Sequence, residues 1–148
     1  RGWEVLQFDV KTAFLYGDLD EIIFMEQPPG FQTEGLGLVC KLLKSLYGLK
    51  QASNIWNRTL HVKLMALGFE RLESDYGLCK LESKGVVDLL LTVYVDDLLI
   101  MGPSARCEAV ATELRTAFEL TSLGPVKFLL GVEILIDRPR RQVTFTQR

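Results

Sequence analysis

One histidine, three cysteines and five prolines in 148 residues are low counts, and each narrows what the chain can be. Cys40, Cys79 and Cys107 are odd in number and lack metal-ligand spacing, and His61 stands alone. That argues against a zinc site and against a disulfide framework, and leaves reduced, buried thiols in an intracellular protein. The longest apolar-rich stretch, 86–101, is interrupted by Asp88, Asp96 and Asp97 and is too short to span a bilayer, so no membrane association is expected. Internal repeats and low-complexity linkers are missing as well, which predicts one domain over residues 1–148. The first residue is Arg1 rather than methionine, and the chain reads as an excerpt truncated at both ends.

A strong net charge is also lacking: 17 basic and 19 acidic side chains leave −2. Taken whole, that balance speaks against a nucleic-acid binder. Taken by segment, it does not. Residues 1–34 carry two basic and seven acidic side chains, whereas residues 35–69 carry Lys41, Lys44, Lys50, Arg58 and Lys63 with no Asp or Glu at all. An acidic block therefore lies beside a basic one. The basic block reads either as a surface for a phosphate backbone or as a solvated helix face.

What is present follows an α+β pattern. Residues 4–10 alternate as a strand ending near Asp9, and strands are expected over 21–27, 39–43, 76–81 and 86–95. Trp56, Leu60, Leu64 and Leu67 recur at helical spacing, with Ser53 as the expected N-cap and Gly68 as the stop. The run 86–95 is almost continuous in Val and Leu, so burial on both faces is expected. It joins Leu98–Met101 as a hairpin with Asp96-Asp97 at its turn. Pro103 and Ser104 open a second helix with a stripe of Cys107, Val110, Ala111, Leu114 and Phe118, and residues 126–136 and 142–146 form a closing hairpin. This order predicts an antiparallel sheet with two helices packed on one face.

The tetrapeptide Tyr94-Val95-Asp96-Asp97 puts two carboxylates at the tip of an apolar hairpin. Either they form an ordinary exposed turn, for which Asp is suited, or they belong to a site. Asp9 closes a strand at the other end of the chain. If that strand lies beside the hairpin, three carboxylates share one rim and repel one another unless cations neutralise them. Oxygen ligands of this kind suit Mg²⁺, and a pair of such ions clamps the attacking and leaving oxygens in phosphoryl transfer.

Five strings occur in order: Phe8-Asp9-Val10-Lys11-Thr12-Ala13-Phe14-Leu15, Met25-Glu26-Gln27-Pro28-Pro29-Gly30-Phe31, Lys44-Ser45-Leu46-Tyr47-Gly48-Leu49-Lys50-Gln51, Tyr94-Val95-Asp96-Asp97 and Leu129-Leu130-Gly131-Val132-Glu133-Ile134. Together they resemble the reverse transcriptase of copia-type LTR retrotransposons, over almost the whole chain. The resemblance implies a polymerase palm with part of the fingers and an RNA-directed DNA polymerase activity. It implies that Asp9 and Asp96 bridge two Mg²⁺ ions, for which Mn²⁺ can substitute, that Asp97 supports them, and that the Val10 carbonyl is a further ligand.

By the same resemblance, Phe14 matches the aromatic gate that rejects a ribose 2′-hydroxyl. From the residues alone it reads as a core aromatic beside Leu15. Tyr47 and Gly48 match a segment that packs against the incoming nucleotide and template, with Lys50 and Gln51 near phosphates or the template strand; the bland reading is a turn before a helix. Tyr94 is expected to pack beneath the Asp pair, and Val95 to face the primer terminus. Tyr16, and Ala52-Ser53 after the Gln, depart from the residues common in the family. The implied partners are an RNA or DNA template–primer, deoxynucleoside triphosphates, and integrase and ribonuclease H regions in a parent polyprotein. The implied location is cytoplasmic, in a virus-like particle. The alternative is a catalytically inactive retrotransposon-derived fragment that only folds or binds nucleic acid.

Overall fold

Leu6, Phe8 and Val10 alternate with Gln7 and Asp9, giving a strand with one apolar and one polar face. A computed structural model describes residues 2–33 and 37–147 and has this strand, β1, at Glu4–Val10. Arg1 and Glu34, counted above in the acidic block, and Arg148 lie outside the described residues. A 3₁₀ turn at Ala13–Tyr16 follows, then β2 (Phe24–Glu26), β3 (Val39–Lys41), α1 (Ala52–Ala66), β4 (Glu70–Arg71), β5 (Leu78–Ser83), β6 (Val86–Tyr94) and β7 (Asp97–Gly102). The chain continues through α2 (Ser104–Arg115), β8 (Leu120–Pro125), β9 (Phe128–Leu129), β10 (Val132–Asp137) and β11 (Gln142–Thr146).

The main sheet has six strands in the order β4-β5-β6-β7-β1-β8, and every pairing in it is antiparallel. The strands β2 and β3 form a separate ribbon, and β9 to β11 a small three-stranded sheet. Both helices cover the same face of the main sheet. Trp56, Leu60 and Leu64 of α1 join Cys107, Val110, Ala111 and Leu114 of α2 in one buried cluster with Leu6, Phe8, Val10, Leu89, Leu91, Leu98 and Ile100. The expected α+β arrangement is therefore present.

Several boundaries differ from expectation for identifiable reasons. The helix α1 starts at Ala52 with Gln51 in the cap position and no side-chain cap. The chain is already turning there, since Ala52 N–H donates to the Leu49 carbonyl at 3.1 Å, so Ser53 lies inside the helix. At the far end Gly68 has φ 87°, its N–H donates to the Met65 carbonyl and Phe69 N–H donates to the Leu64 carbonyl, a Schellman stop. In β6 only Leu89 and Leu91 are fully buried, while Leu90 and Thr92 are half-buried, because both helices lie on one side and leave the other face open. The strand β5 starts at Leu78 rather than Tyr76, and β2 is shorter than the apolar run around it. The expected strand over 126–136 is broken at Leu130-Gly131 into β9 and β10.

The edge strand β8 was not expected, because Gly124 and Pro125 mask it. Both are tolerated at an edge, where one side of the backbone faces no partner. Close approach matters at Gly17, as it does at Gly102. A Cβ on Gly17 would lie 2.3 Å from Ile55 Cγ2, so only glycine lets the 3₁₀ turn rest against α1.

The two charge blocks meet in the fold. Lys44 pairs with Asp18, Arg58 pairs with Asp20 at 3.2 Å, and Gln51 donates to Glu21. Of the basic block, Lys41, Lys50 and Lys63 have no carboxylate partner among the described residues. Among those residues no helix is long and apolar enough to cross a membrane.

Candidate active site

The strand alternation that buries Leu6, Phe8 and Val10 turns Gln7 and Asp9 to the open face of the sheet, and the same applies to Asp97 and Leu99 on β7. The register then sets Asp9 directly opposite Asp97, and Asp97 opposite Tyr94 on β6. Val10 N–H donates to the Asp96 carbonyl at 2.9 Å, which makes Asp9 and Asp97 a non-hydrogen-bonded pair. In such a pair the Cα atoms are about 4.5 Å apart and the side chains closest. Like charges in that position repel. Burial and then the charges of Asp96 and Asp97 push the Asp9 carboxyl above its usual range.

Asp96 occupies the two-residue turn between β6 and β7 together with Val95; Asp97 is the first residue of β7 rather than part of the turn, which corrects the expected Asp96-Asp97 turn. Val95 has φ 54°, a conformation that costs a β-branched residue about 1–3 kcal/mol. The surroundings hold it there. The indole N–H of Trp56 donates to the Val95 carbonyl, and Trp56 is only 2% exposed, with its ring against Tyr16 and edge-on to Phe118 at 5.2 Å. From the other side Gln7 Nε2 donates to Asp97 Oδ1 at 3.2 Å. Gln7 and Trp56 are thus functional candidates that sequence reading passed over. Gln7 was legible in principle, since it stands two residues before Asp9 and so shares its face.

Phe14 is half-buried at the rim, with its ring 4.5 Å from that of Tyr47. Tyr47 is exposed, yet its hydroxyl is pushed up by burial and then by the charges of Asp96 and Asp9, which places it beside the carboxylates. Gly48 has φ 96° and open space where a side chain would be. The structure does not bring Gln51 to this rim, because its amide is bonded to Glu21 at 2.6 Å, and Lys50 is exposed with no partner among the described residues. Tyr94 is 57% exposed beside Asp97 on the open face, not packed beneath the pair as expected, because the covered face belongs to the helices. Val95 stands exposed at the tip. A groove of about 230 Å³ runs along the open face past Thr92, Tyr94, Asp97, Leu99, Leu129 and Leu130.

The family described as reverse transcriptase (RNA-dependent DNA polymerase) matches residues 1–146. The chain belongs to that family. Among reverse transcriptase relatives, the retrovirus-related Pol polyprotein from transposon TNT 1-94 of Nicotiana tabacum is 40% identical over 146 residues, covering 97% of this chain and 11% of the polyprotein. The putative transposon Ty5-1 protein of Saccharomyces cerevisiae is 40% identical over 128 residues, covering 85% of this chain and 41% of that protein. The Pol polyprotein from transposon RE1 of Arabidopsis thaliana is 39% identical over 136 residues, covering 90% and 9%. The copia-type retrotransposon resemblance read from the ordered motifs therefore holds, and this reverse transcriptase chain spans about a tenth of the Pol polyproteins it matches.

Whether a reverse transcriptase metal fits here is decided by the donor set. Among the described residues no three His, Cys, Asp or Glu side chains are gathered into a ready ligand cluster. Asp9, Asp96 and Asp97 share a rim without converging on one point. Burial first and the neighbouring carboxylates second raise the Asp9 carboxyl, and carboxylate oxygens are of the kind a hard divalent cation takes.

The same imbalance gives a pH dependence. Asp9 titrates higher when folded than unfolded, so its contribution favours the fold below the unfolded value and is lost as pH rises through the folded one. In EDTA at pH 7, Asp9→Asn is expected to raise the melting temperature of the chain, with the gain vanishing below about pH 4. A melting temperature at pH 7 equal to or below that of the parent chain contradicts the crowding of Asp9.

Proposed function

We propose that this chain is the palm core, with part of the fingers, of an RNA-directed DNA polymerase from a copia-type retrotransposon Pol polyprotein, all of residues 1–148 forming one domain. The observation that carries the reading is the opposition of Asp9 and Asp97 across β1 and β7 with Asp96 in the adjoining turn. In this reading the 3′-hydroxyl of a primer attacks the α-phosphate of a deoxynucleoside triphosphate, and pyrophosphate leaves. Asp9 and Asp96 would hold two Mg²⁺ ions, with Mn²⁺ as substitute, and Asp97 would support them. The Val10 carbonyl is a further donor: its N–H already points at the turn, and the carbonyl of a strand residue faces the same side. Cations held there would lower the pKa of the attacking hydroxyl and offset the charge that develops on the phosphate.

The chain's own residues supply position. Trp56 and Gln7 hold the turn and Asp97. The paired rings of Phe14 and Tyr47 border the nucleotide, with Phe14 facing the sugar so that a 2′-hydroxyl is excluded, and bare Gly48 lets the nucleotide approach the backbone. Tyr94 and Val95, exposed at the tip, face the primer terminus. Lys50 reaches the template–primer phosphates, and Gln51 does so only after leaving Glu21. Integrase and ribonuclease H regions are the covalent neighbours in the parent polyprotein, and the compartment is cytoplasmic.

The test has two arms. Millimolar Mg²⁺ or Mn²⁺ is expected to raise the melting temperature of the chain, since a cation that binds only the folded rim stabilises it by mass action. A polypeptide lengthened at both ends is expected to extend oligo(dT) on poly(rA), and EDTA to abolish this. No thermal shift in a folded sample counts against the metal site, and no extension by the lengthened protein favours the inactive fragment.

A further inference from the structure

A second groove, of about 520 Å³, opens between the outward face of α1 and the start of β4–β5. Asn54, Asn57, Arg58 and His61 line it at helical spacing, Arg71 and Tyr76 close it from the strand side, and no Asp or Glu contributes. It shares no lining residue with the groove beside Asp97. The neighbouring Asp75 is occupied elsewhere, accepting from the Gly77 N–H at 2.8 Å.

Arg71 is the unusual member. Its Nη2 donates to Asn57 Oδ1 at 2.8 Å and its guanidinium lies 5.6 Å from the centre of the Tyr76 ring. Its Nε is buried with no nitrogen or oxygen partner, its guanidinium lies against the Cys79 thiol, and it has no carboxylate partner among the described residues. A half-buried guanidinium without an anion is unfavourable, and each such unpaired group asks for an explanation. His61 repeats the pattern. Its Nδ1 is buried and unpartnered, and burial followed by the charge of Arg71 pushes its pKa down, leaving a neutral imidazole able to donate. Arg58 is held only by an exposed pair with Asp20, a contact weak enough to exchange for another anion. Tyr76 is 70% exposed beside these donors.

We propose that this groove is a second nucleic-acid site, which takes a phosphate of a single strand on Arg71 and His61 and stacks the adjoining base on Tyr76. A lining that holds Arg58 and Arg71 and, among the described residues, no carboxylate takes an anion, and the exposed ring beside it favours a nucleotide strand over an acidic peptide. The site is independent of the carboxylate rim. Its test is run in EDTA, so that failure here leaves the polymerase reading standing and the reverse.

The probes are fluorescein-labelled (dT)₁₂, inorganic phosphate and polyglutamate, titrated against the chain. Arg71→Gln is expected to weaken (dT)₁₂ about tenfold and to reduce the slope of log K against log salt by about 0.7. Tyr76→Ala is expected to weaken (dT)₁₂ by about tenfold while leaving phosphate binding unchanged. Because Arg71 also ties β4 to α1, the Tyr76 variant, altered at an exposed ring, keeps the test valid if Arg71→Gln unfolds. Unchanged (dT)₁₂ binding by folded Tyr76→Ala overturns the proposal, and so does polyglutamate binding as tightly as (dT)₁₂.

Discussion

Asp96→Asn, in a polymerase of full polyprotein length, is expected to cut primer extension on poly(rA)–oligo(dT) by about 10³-fold or more. The fold is expected to survive, and the reason is specific to this turn. What Asp96 gives the structure is its backbone carbonyl, which accepts the Val10 N–H at 2.9 Å, and Asn keeps that carbonyl. What it loses is a charge, and in the proposed chemistry that charge holds the cations. Asp97→Asn should be milder, because an Asn carbonyl oxygen can still accept from Gln7 Nε2 as Asp97 Oδ1 does. Primer extension and a melting curve recorded on the same two variants separate the effects. Extension retained by Asp96→Asn removes Asp96 from the catalytic role, and a collapse in melting temperature assigns it to structure instead.

The carboxylate rim could be anticipated because two local rules happened to suffice. Alternation fixed which face of residues 4–10 carries Asp9, and the apolar run followed by two acids fixed a hairpin. The rules left the register open, and it is the register that makes Asp97 rather than Asp96 the direct partner of Asp9. A two-residue turn at Val95-Asp96 runs against local preference, since positive φ is expected of Gly, Asn or Asp and not of valine. Only tertiary contact, here the Trp56 indole, makes it tenable. Trp56 read as one more apolar position on a helix stripe because its ring does pack in the core; nothing in its spacing announces the polar end. The strand β8 was hidden by Gly124 and Pro125. The Gln51–Glu21 bond was hidden for a related reason: it joins residues 30 apart on the surface, where sequence patterns carry no information about partners.

The tension at Val95 leads to the second large effect, at Trp56. Burial of this side chain to 2% exposure predicts that Trp56→Ala costs about 3–5 kcal/mol, a large share of the roughly 5–15 kcal/mol by which a domain is stable. Unfolding at ordinary temperature is the expected result, and it says nothing of function. Trp56→Phe separates the two roles. It keeps an aromatic ring against Tyr16 and Phe118 but removes the donor to the Val95 carbonyl, so a loss of about 1–3 kcal/mol is expected. Without that bond the strained φ of Val95 has one restraint fewer, and the turn relaxes toward conformations that carry Asp96 off the rim. In the full-length polymerase kcat should therefore fall about tenfold, while KM for the deoxynucleotide, set by contacts at Phe14 and Tyr47, changes little. A folded Trp56→Phe protein with unchanged kcat would show that the indole supports only the core and that the turn holds its shape unaided.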